Sequence, residues 1–247
     1  MAFFILKMNK KFLVEFLGTF FLVSVVVGSG IMAENLSNGN DALALLGNTI
    51  ATGAILYVLI KSFSFISGAH FNPAVSLVFY IRKELRLYDL YKYSIAQLLG
   101  GLLSIVIVHY YFGVEIIQIS TNIRGEGKLL ISEIIATFGL IIAILFVGKN
   151  NPKDVALAVA LFITSGYWFT SSTSFANPAV TISRMFTDTF TGIAPSSVVY
   201  FIIGQLIGAL MGNILYNKID SNWTYNLQID FTLITNKKRT DFNFHSN

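Results

Sequence analysis

Two Asn-Pro-Ala triplets stand 105 residues apart, Asn72-Pro73-Ala74 and Asn177-Pro178-Ala179. Their residue types suit helix starts. An Asn side-chain oxygen caps backbone N–H groups, and Pro takes the first helical position, where no donor is needed. With its oxygen engaged, each carboxamide keeps its N–H hydrogens as donors for a passing acceptor. One such triplet alone reads as a plain helix N-terminus. Glu15 and Glu133 form a second matched pair, in segments that are otherwise apolar. His70 lies two residues before Asn72. Catalytic patterns are missing: there are no paired acids, no His-rich metal motif and no Ser–His arrangement at sensible spacing. Cys is absent, which excludes disulfides, thiolate metal sites and thiol nucleophiles. We expect no enzyme, no resident metal and no cofactor.

The elements that position these residues are membrane spans. The 247 residues are 54% hydrophobic and 12% charged, with a mean hydropathy of +0.67. Soluble domains run to about 25% charged residues, so a soluble or disordered chain is excluded. The pI of 9.2 and net charge of +4 do not signal nucleic acid, because the charges fall between apolar runs and form no basic face. Six runs are long enough to cross a bilayer, at 12–33, 42–66, 88–112, 129–148, 154–172 and 195–216. Asn72–Tyr80 and Asn177–Phe186 are apolar but too short to span, and each follows a turn, Ser67-Gly68-Ala69-His70 or Ser171-Ser172-Thr173-Ser174. Both read as re-entrant pieces. Such backbone survives at membrane depth only where protein or a water-lined cavity satisfies it.

With both termini placed in the cytoplasm, 14 of the 17 Lys and Arg residues lie inside; Arg124, Lys128 and Arg184 are the exceptions. That bias orients the chain. The sequence thus divides into a cytoplasmic N-terminal segment 1–11, a channel region 12–216 and a polar cytoplasmic tail 217–247 expected to be mobile. The expected address of such a chain is the plasma, or cell inner, membrane.

The channel region is a repeat, 12–112 and 129–216. Glu15-Phe16-Leu17-Gly18-Thr19-Phe20 returns as Glu133-Ile134-Ile135-Ala136-Thr137-Phe138, and Ala96-Gln97-Leu98-Leu99-Gly100-Gly101 as Gly204-Gln205-Leu206-Ile207-Gly208-Ala209. The offsets are 118 and 108 residues, against 105 for the triplets. Three spans per half is an odd number, so the second half is inverted, and the working site belongs at the midplane where the halves meet. Two half-helix N-termini meet there, each with roughly half a positive charge. That arrangement opposes cations and admits neutral solutes. Glu15 and Glu133 are expected to accept hydrogen bonds from backbone donors of their re-entrant loops. His70 either lines the inner vestibule or pins its loop; the loop's need for internal partners favours pinning.

These features together resemble the aquaporin, or major intrinsic protein, family. The resemblance covers roughly 10–216 and rests on Glu15–Phe20, Ser67–Val75, Ala96-Gln97, Glu133, the triplet at 177–179 and Gln205. It implies an all-α membrane fold of six tilted spans and two re-entrant half-helices in an inverted repeat. It also implies a homotetramer with one pore per subunit, passing water and sometimes glycerol or other small neutral solutes. Most members carry Arg three residues after the second Asn, where this chain has Val180. Distances from each Asn map the family's outer constriction onto Thr52, Ser165, Ser174 and Val180, with Gly166 replacing Ser165 if the register slips by one. Arg184 lies one turn beyond Val180 and is not assumed to substitute. A set without a bulky aromatic or fixed charge predicts a wide constriction, open to glycerol, urea or undissociated metalloid acids such as arsenous acid. The overall likeness is to an aquaglyceroporin-like bacterial member.

A strict water channel is the alternative within this class. A coupled secondary transporter would need an ion or proton site, for which the spans offer few groups. An ion channel would need rings of carbonyls or charges. The missing thiols carry a direct test: mercurials should leave solute flux in reconstituted vesicles unchanged, and rapid block reversed by a thiol reagent would contradict this reading.

Overall fold

The computed structural model of the protein describes residues 9–125 and 127–243, with side chains up to residue 220. Most of the expected N-terminal segment and the end of the tail lie outside the described residues. Every regular element among the described residues is helical: α1 (Lys10–Leu36), α2 (Asp41–Ser67), α3 (Pro73–Ile81), α4 (Leu87–Phe112), α5 (Lys128–Asn150), α6 (Val155–Phe169), α7 (Pro178–Arg184) and α8 (Pro195–Asn243), with a 3-10 turn at Pro152–Asp154.

Helix boundaries follow local chemistry. Asn9, Asn40, Asn72 and Asn177 cap α1, α2, α3 and α7 with their side-chain oxygens. Glycines in the left-handed region end α2 and α4, at Gly68 (φ 88°) and Gly113 (φ 68°), as helices commonly end. Five helices are long and apolar enough to cross a membrane: α1, α2, α4, α5 and the Pro195–Asp220 part of α8. Large apolar side chains such as Phe65, Ile95, Ile131 and Ile214 stand exposed along them, a surface suited to lipid.

Two spans differ from the sequence expectation. The fifth, expected over 154–172, is a helix of only 15 residues, Val155–Phe169. Thr170 is already extended (φ −107°, ψ 135°), because the chain must leave the helix early to turn back into the membrane. The last helix continues to Asn243 instead of ending near 216, so the backbone of the tail prolongs the final span.

The halves pack alike. α1 lies against α2 and α4, α5 against α6 and α8, and α2 against α6 joins them. α3 contacts α4 and α8; α7 contacts α8 and α4. Glycine permits close backbone approach at two matching crossings. A Cβ on Gly100 would run into the Phe16 carbonyl, and one on Gly208 into the Ile134 carbonyl. Phe16 and Ile134 are themselves repeat mates. Small residues that let backbones touch are the ordinary means of packing helices in lipid. Gly18 makes room in the same way for the ring of Phe71 in the first re-entrant loop.

At Gly100 the blocking atoms are backbone and cannot swing aside. Gly100→Val should therefore lower the melting temperature of the detergent-solubilised protein, by an overpacking cost of about 1–3 kcal/mol or more. An unchanged melting temperature would show that the α1–α4 crossing is not close-packed.

Candidate functional site

Each re-entrant loop is wrapped around one carboxylate. Glu15 is fully buried. Its Oε1 accepts from Ser67 Oγ (2.6 Å) and His70 N (3.0 Å), and its Oε2 from Phe71 N (2.7 Å) and Gln97 Nε2 (2.8 Å). Glu133, also fully buried, repeats the pattern. Its Oε1 accepts from Phe175 N (3.0 Å), and its Oε2 from Ala176 N (2.9 Å) and Gln205 Nε2 (2.6 Å). The two glutamines also reach Ser76 Oγ (3.2 Å) and Thr181 Oγ1 (2.8 Å) on the half-helices. Each carboxylate thereby ties its own span, the loop, the half-helix and the last span of its half.

The loops reach these acceptors through strained backbone. Gly68, Ala69 and Phe71 have φ of 88°, 52° and 47°; Thr173, Ser174 and Ala176 have 60°, 53° and 47°. These are the same three positions at the triplet offset. Left-handed φ at non-glycine residues costs of order 1–3 kcal/mol each and persists only where surroundings over-determine it. Here it turns successive N–H groups toward one carboxylate.

The loops then clasp each other. Asn72 Oδ1 accepts from Ala74 N (2.9 Å) and Asn177 Oδ1 from Ala179 N (3.0 Å), starting α3 and α7. Asn72 Nδ2 donates across to the Ala176 carbonyl (2.7 Å), and Asn177 Nδ2 to the Phe71 carbonyl (2.8 Å). The sequence reading left the amide hydrogens of both residues free. One on each is instead committed to the opposite loop, and one remains. His70 Nδ1 lies 3.0 Å from Ser76 Oγ, and its ring packs against Phe79 and Tyr93.

An elongated cavity of about 190 Å³, hereafter the tunnel, lies against these residues. Asn72, Asn177, His70, Thr52, Ser174 and Val180 line it, with an apolar wall that includes Leu22, Leu56 and Ile163. Beyond it opens a vestibule of about 590 Å³ bordered by Glu34, Asp41, Arg124 and Asp188. Pro73, Ala74, Pro178 and Ala179 build the half-helix starts behind the two Asn residues.

The mouth of the tunnel departs from the mapped set. Ser165 is exposed on the outer side of α6, where its Oγ donates to the Phe162 carbonyl (2.8 Å). Gly166 is buried but faces Ser174 and does not line the tunnel. Tyr167 does, with its hydroxyl 3.1 Å from Thr52 Oγ1. Phe175 and Arg184 also line it, so the mouth has both aromatics and a fixed cation. α7 is about two turns long, and the loop after it folds back over its end. Arg184 Nε donates to the Thr191 carbonyl (2.5 Å), and its guanidinium lies 3.5 Å from the centre of the Phe175 ring. Arg124 approaches the same ring at 5.1 Å, held by the Gly192 (2.7 Å) and Phe190 (3.1 Å) carbonyls. Burial pulls the Arg124 guanidinium down to about 10, which leaves it charged at neutral pH. The one signal for this pair in the sequence was that Arg124 and Arg184 are two of only three Lys and Arg residues expected outside the cytoplasm.

Removing either carboxylate orphans two loop N–H groups and a glutamine amide, at about 1–3 kcal/mol each. Glu133→Ala should therefore abolish recovery of monodisperse protein or lower its melting temperature sharply. A variant that melted like the parent would refute this role.

The chain was compared with known proteins. Its residues 4–155 and 148–240 match the family described as Major intrinsic protein. The Aquaglyceroporin AqpS of Rhizobium meliloti (strain 1021) is 46% identical over 203 residues, covering 82% of this chain and 87% of that protein. The Putative aquaporin NIP4-1 of Arabidopsis thaliana is 30% identical, covering 87% and 76%. Among solved structures, the aquaglyceroporin from Plasmodium falciparum superposes with a TM-score of 0.65 at 25% identity, covering 84% of this chain and 93% of that one. With its carboxylate-held loops, its clasped Asn residues and these likenesses, the chain belongs to the major intrinsic protein family.

Proposed function

We propose that the protein is a passive multi-pass membrane channel for water and small uncharged solutes such as glycerol, working at the paired Asn-Pro-Ala triplets. The observation that carries this is the reciprocal clasp of Asn72 and Asn177, both of which line the tunnel. Each retains one amide hydrogen for a passing oxygen. The N-termini of α3 and α7 point toward the same place, and their partial positive charges oppose cations. Neutral molecules that accept hydrogen bonds pass from the Asn donors to the hydroxyls of Ser174, Thr52 and Tyr167. Glu15, Glu133 and His70 hold the loops in place, and Val180 forms part of the tunnel wall.

The aquaglyceroporin relative favours the wider solute range, which extends to urea and undissociated metalloid acids such as arsenous acid. Arg184, Tyr167 and Phe175 at the mouth favour the second reading, a channel narrowed to water. We place both termini in the cytoplasm and the protein in the cell's plasma membrane, on the Lys and Arg distribution. A homotetramer with one tunnel per subunit completes the proposal; the exposed apolar faces of the spans can serve lipid and neighbouring subunits alike.

A stopped-flow panel on the purified protein in liposomes tests this. Water, glycerol, urea and arsenous acid should all enter faster than into protein-free vesicles, without saturation or dependence on a proton gradient. Water flux alone would select the narrow reading. Gradient-dependent, saturable uptake would replace the channel with a coupled transporter.

A further inference from the structure

On the channel reading above, we propose that His109 is a positioning residue for the tunnel's outer mouth: its two ring nitrogens latch the end of the second half-helix to the first half of the chain and so fix the mouth's aperture.

The latch joins three elements through one side chain. His109 lies in the last turn of α4 and is fully buried. Its Nδ1 is 3.0 Å from the Ile116 carbonyl, and its Nε2 is 2.9 Å from Thr187 Oγ1. A carbonyl only accepts. With one hydrogen on the ring, Nδ1 therefore carries it, and Nε2 accepts from the Thr187 hydroxyl. Ile116 belongs to the loop that links the halves, and Thr187 to the segment that follows α7. That segment carries the mouth. Its Thr191 carbonyl holds Arg184, and its Phe190 and Gly192 carbonyls hold Arg124 against Phe175. The linking loop also grips it directly. Ser120 N donates to the Met185 carbonyl (2.9 Å), and a Cβ on Gly192 would strike both Ser120 Oγ and the Thr187 carbonyl.

The repeat places a matching latch at the other end of the molecule. At the triplet offset Thr187 answers to Arg82, and at the offset of Gln97 and Gln205 His109 answers to Asn217. Arg82 Nη1 donates to Asn217 Oδ1 (3.1 Å). In both halves, then, a residue just beyond the half-helix bonds to the same position on the other half's last span. The residue types differ and the pairing is the same. Glu15 and Glu133 fix the starts of the half-helices; these latches fix their far ends. α7 spans seven residues, about 10 Å, so a shift at its far end is felt across the mouth. A latch broken on one side leaves a buried polar atom unpaired, a cost that the segment relieves by moving.

Variants of the two partners, reconstituted in liposomes, make the test. His109→Leu fills the space without either hydrogen bond, and Thr187→Val removes the hydroxyl isosterically. Each should raise the flux of xylitol relative to water at least about fivefold, the population shift of one buried hydrogen bond. The double variant should do no more than either single one. His109→Gln, whose carboxamide oxygen stands in for Nε2, should keep the parental ratio. A folded His109→Leu channel with the parental ratio overturns the inference and leaves the channel reading intact. If that variant does not fold, Thr187→Val decides by the same ratio. Nitrogen NMR of the wild-type protein with isotope-labelled histidines, at about pH 8, reads the latch without any flux. The His109 ring, identified by the loss of its signal in His109→Gln, should carry its hydrogen on Nδ1, and a hydrogen on Nε2 alone overturns the latch. Wild-type vesicles that pass neither water nor glycerol overturn the channel reading and this role together.

Discussion

A carboxylate removed from water must be surrounded by donors, and at membrane depth only the protein can provide them. Glu15 and Glu133 turn that requirement into architecture. Their donors are the N–H groups of His70 and Phe71, and of Phe175 and Ala176. Those groups belong to loops that would otherwise carry unpaired backbone inside the bilayer. The carboxylate and the loop satisfy one another, and neither is tolerable alone. The left-handed residues are the conformational cost of bringing successive N–H groups onto one acceptor. Gln97 and Gln205 extend each cluster to the half-helices, so a single buried charge sets the depth at which each Asn-Pro-Ala triplet starts its helix.

The inverted repeat doubles this unit and makes the tunnel the place where two units meet. Gly100 and Gly208 play the same part in opposite halves: each lets one span's backbone approach that of a partner span. This closeness brings Gln97 within reach of Glu15 and Gln205 within reach of Glu133. Close packing at the crossings and hydrogen bonding at the loops are thus coupled. The symmetry fails at the mouth: at the triplet offset Arg184 answers to Phe79 and Phe175 to His70, whereas Val180 still answers to Val75.

Much of this was legible in the residues. Spans can be read because lipid imposes a length and a polarity on them. The half-helix starts can be read because Asn followed by Pro has few other uses in an apolar run. The two carboxylates were conspicuous because charge is so rare there. The features that were not legible depend on distances through space. Ser165 was placed in the mouth by counting from Asn177, but α6 ends at Phe169, and its helical phase turns Ser165 outward and Tyr167 inward. Arg184 was set aside because it follows Val180 by a full turn; its long side chain and the loop returning over α7 bring it back. The clasp between Asn72 and Asn177 needed both loops in view at once.

That clasp has a consequence for biogenesis. The acceptor for Asn72, the Ala176 carbonyl, lies 104 residues further along the chain. At about 5–20 residues per second of synthesis, the first loop waits about 5–20 seconds before its partner exists. During that interval the amino-terminal half resides in the membrane with its midplane amide unmatched. It depends meanwhile on anchors within its own half, chiefly Glu15 and the Gln97 and Tyr93 side chains, until the carboxyl-terminal half arrives to close the pair.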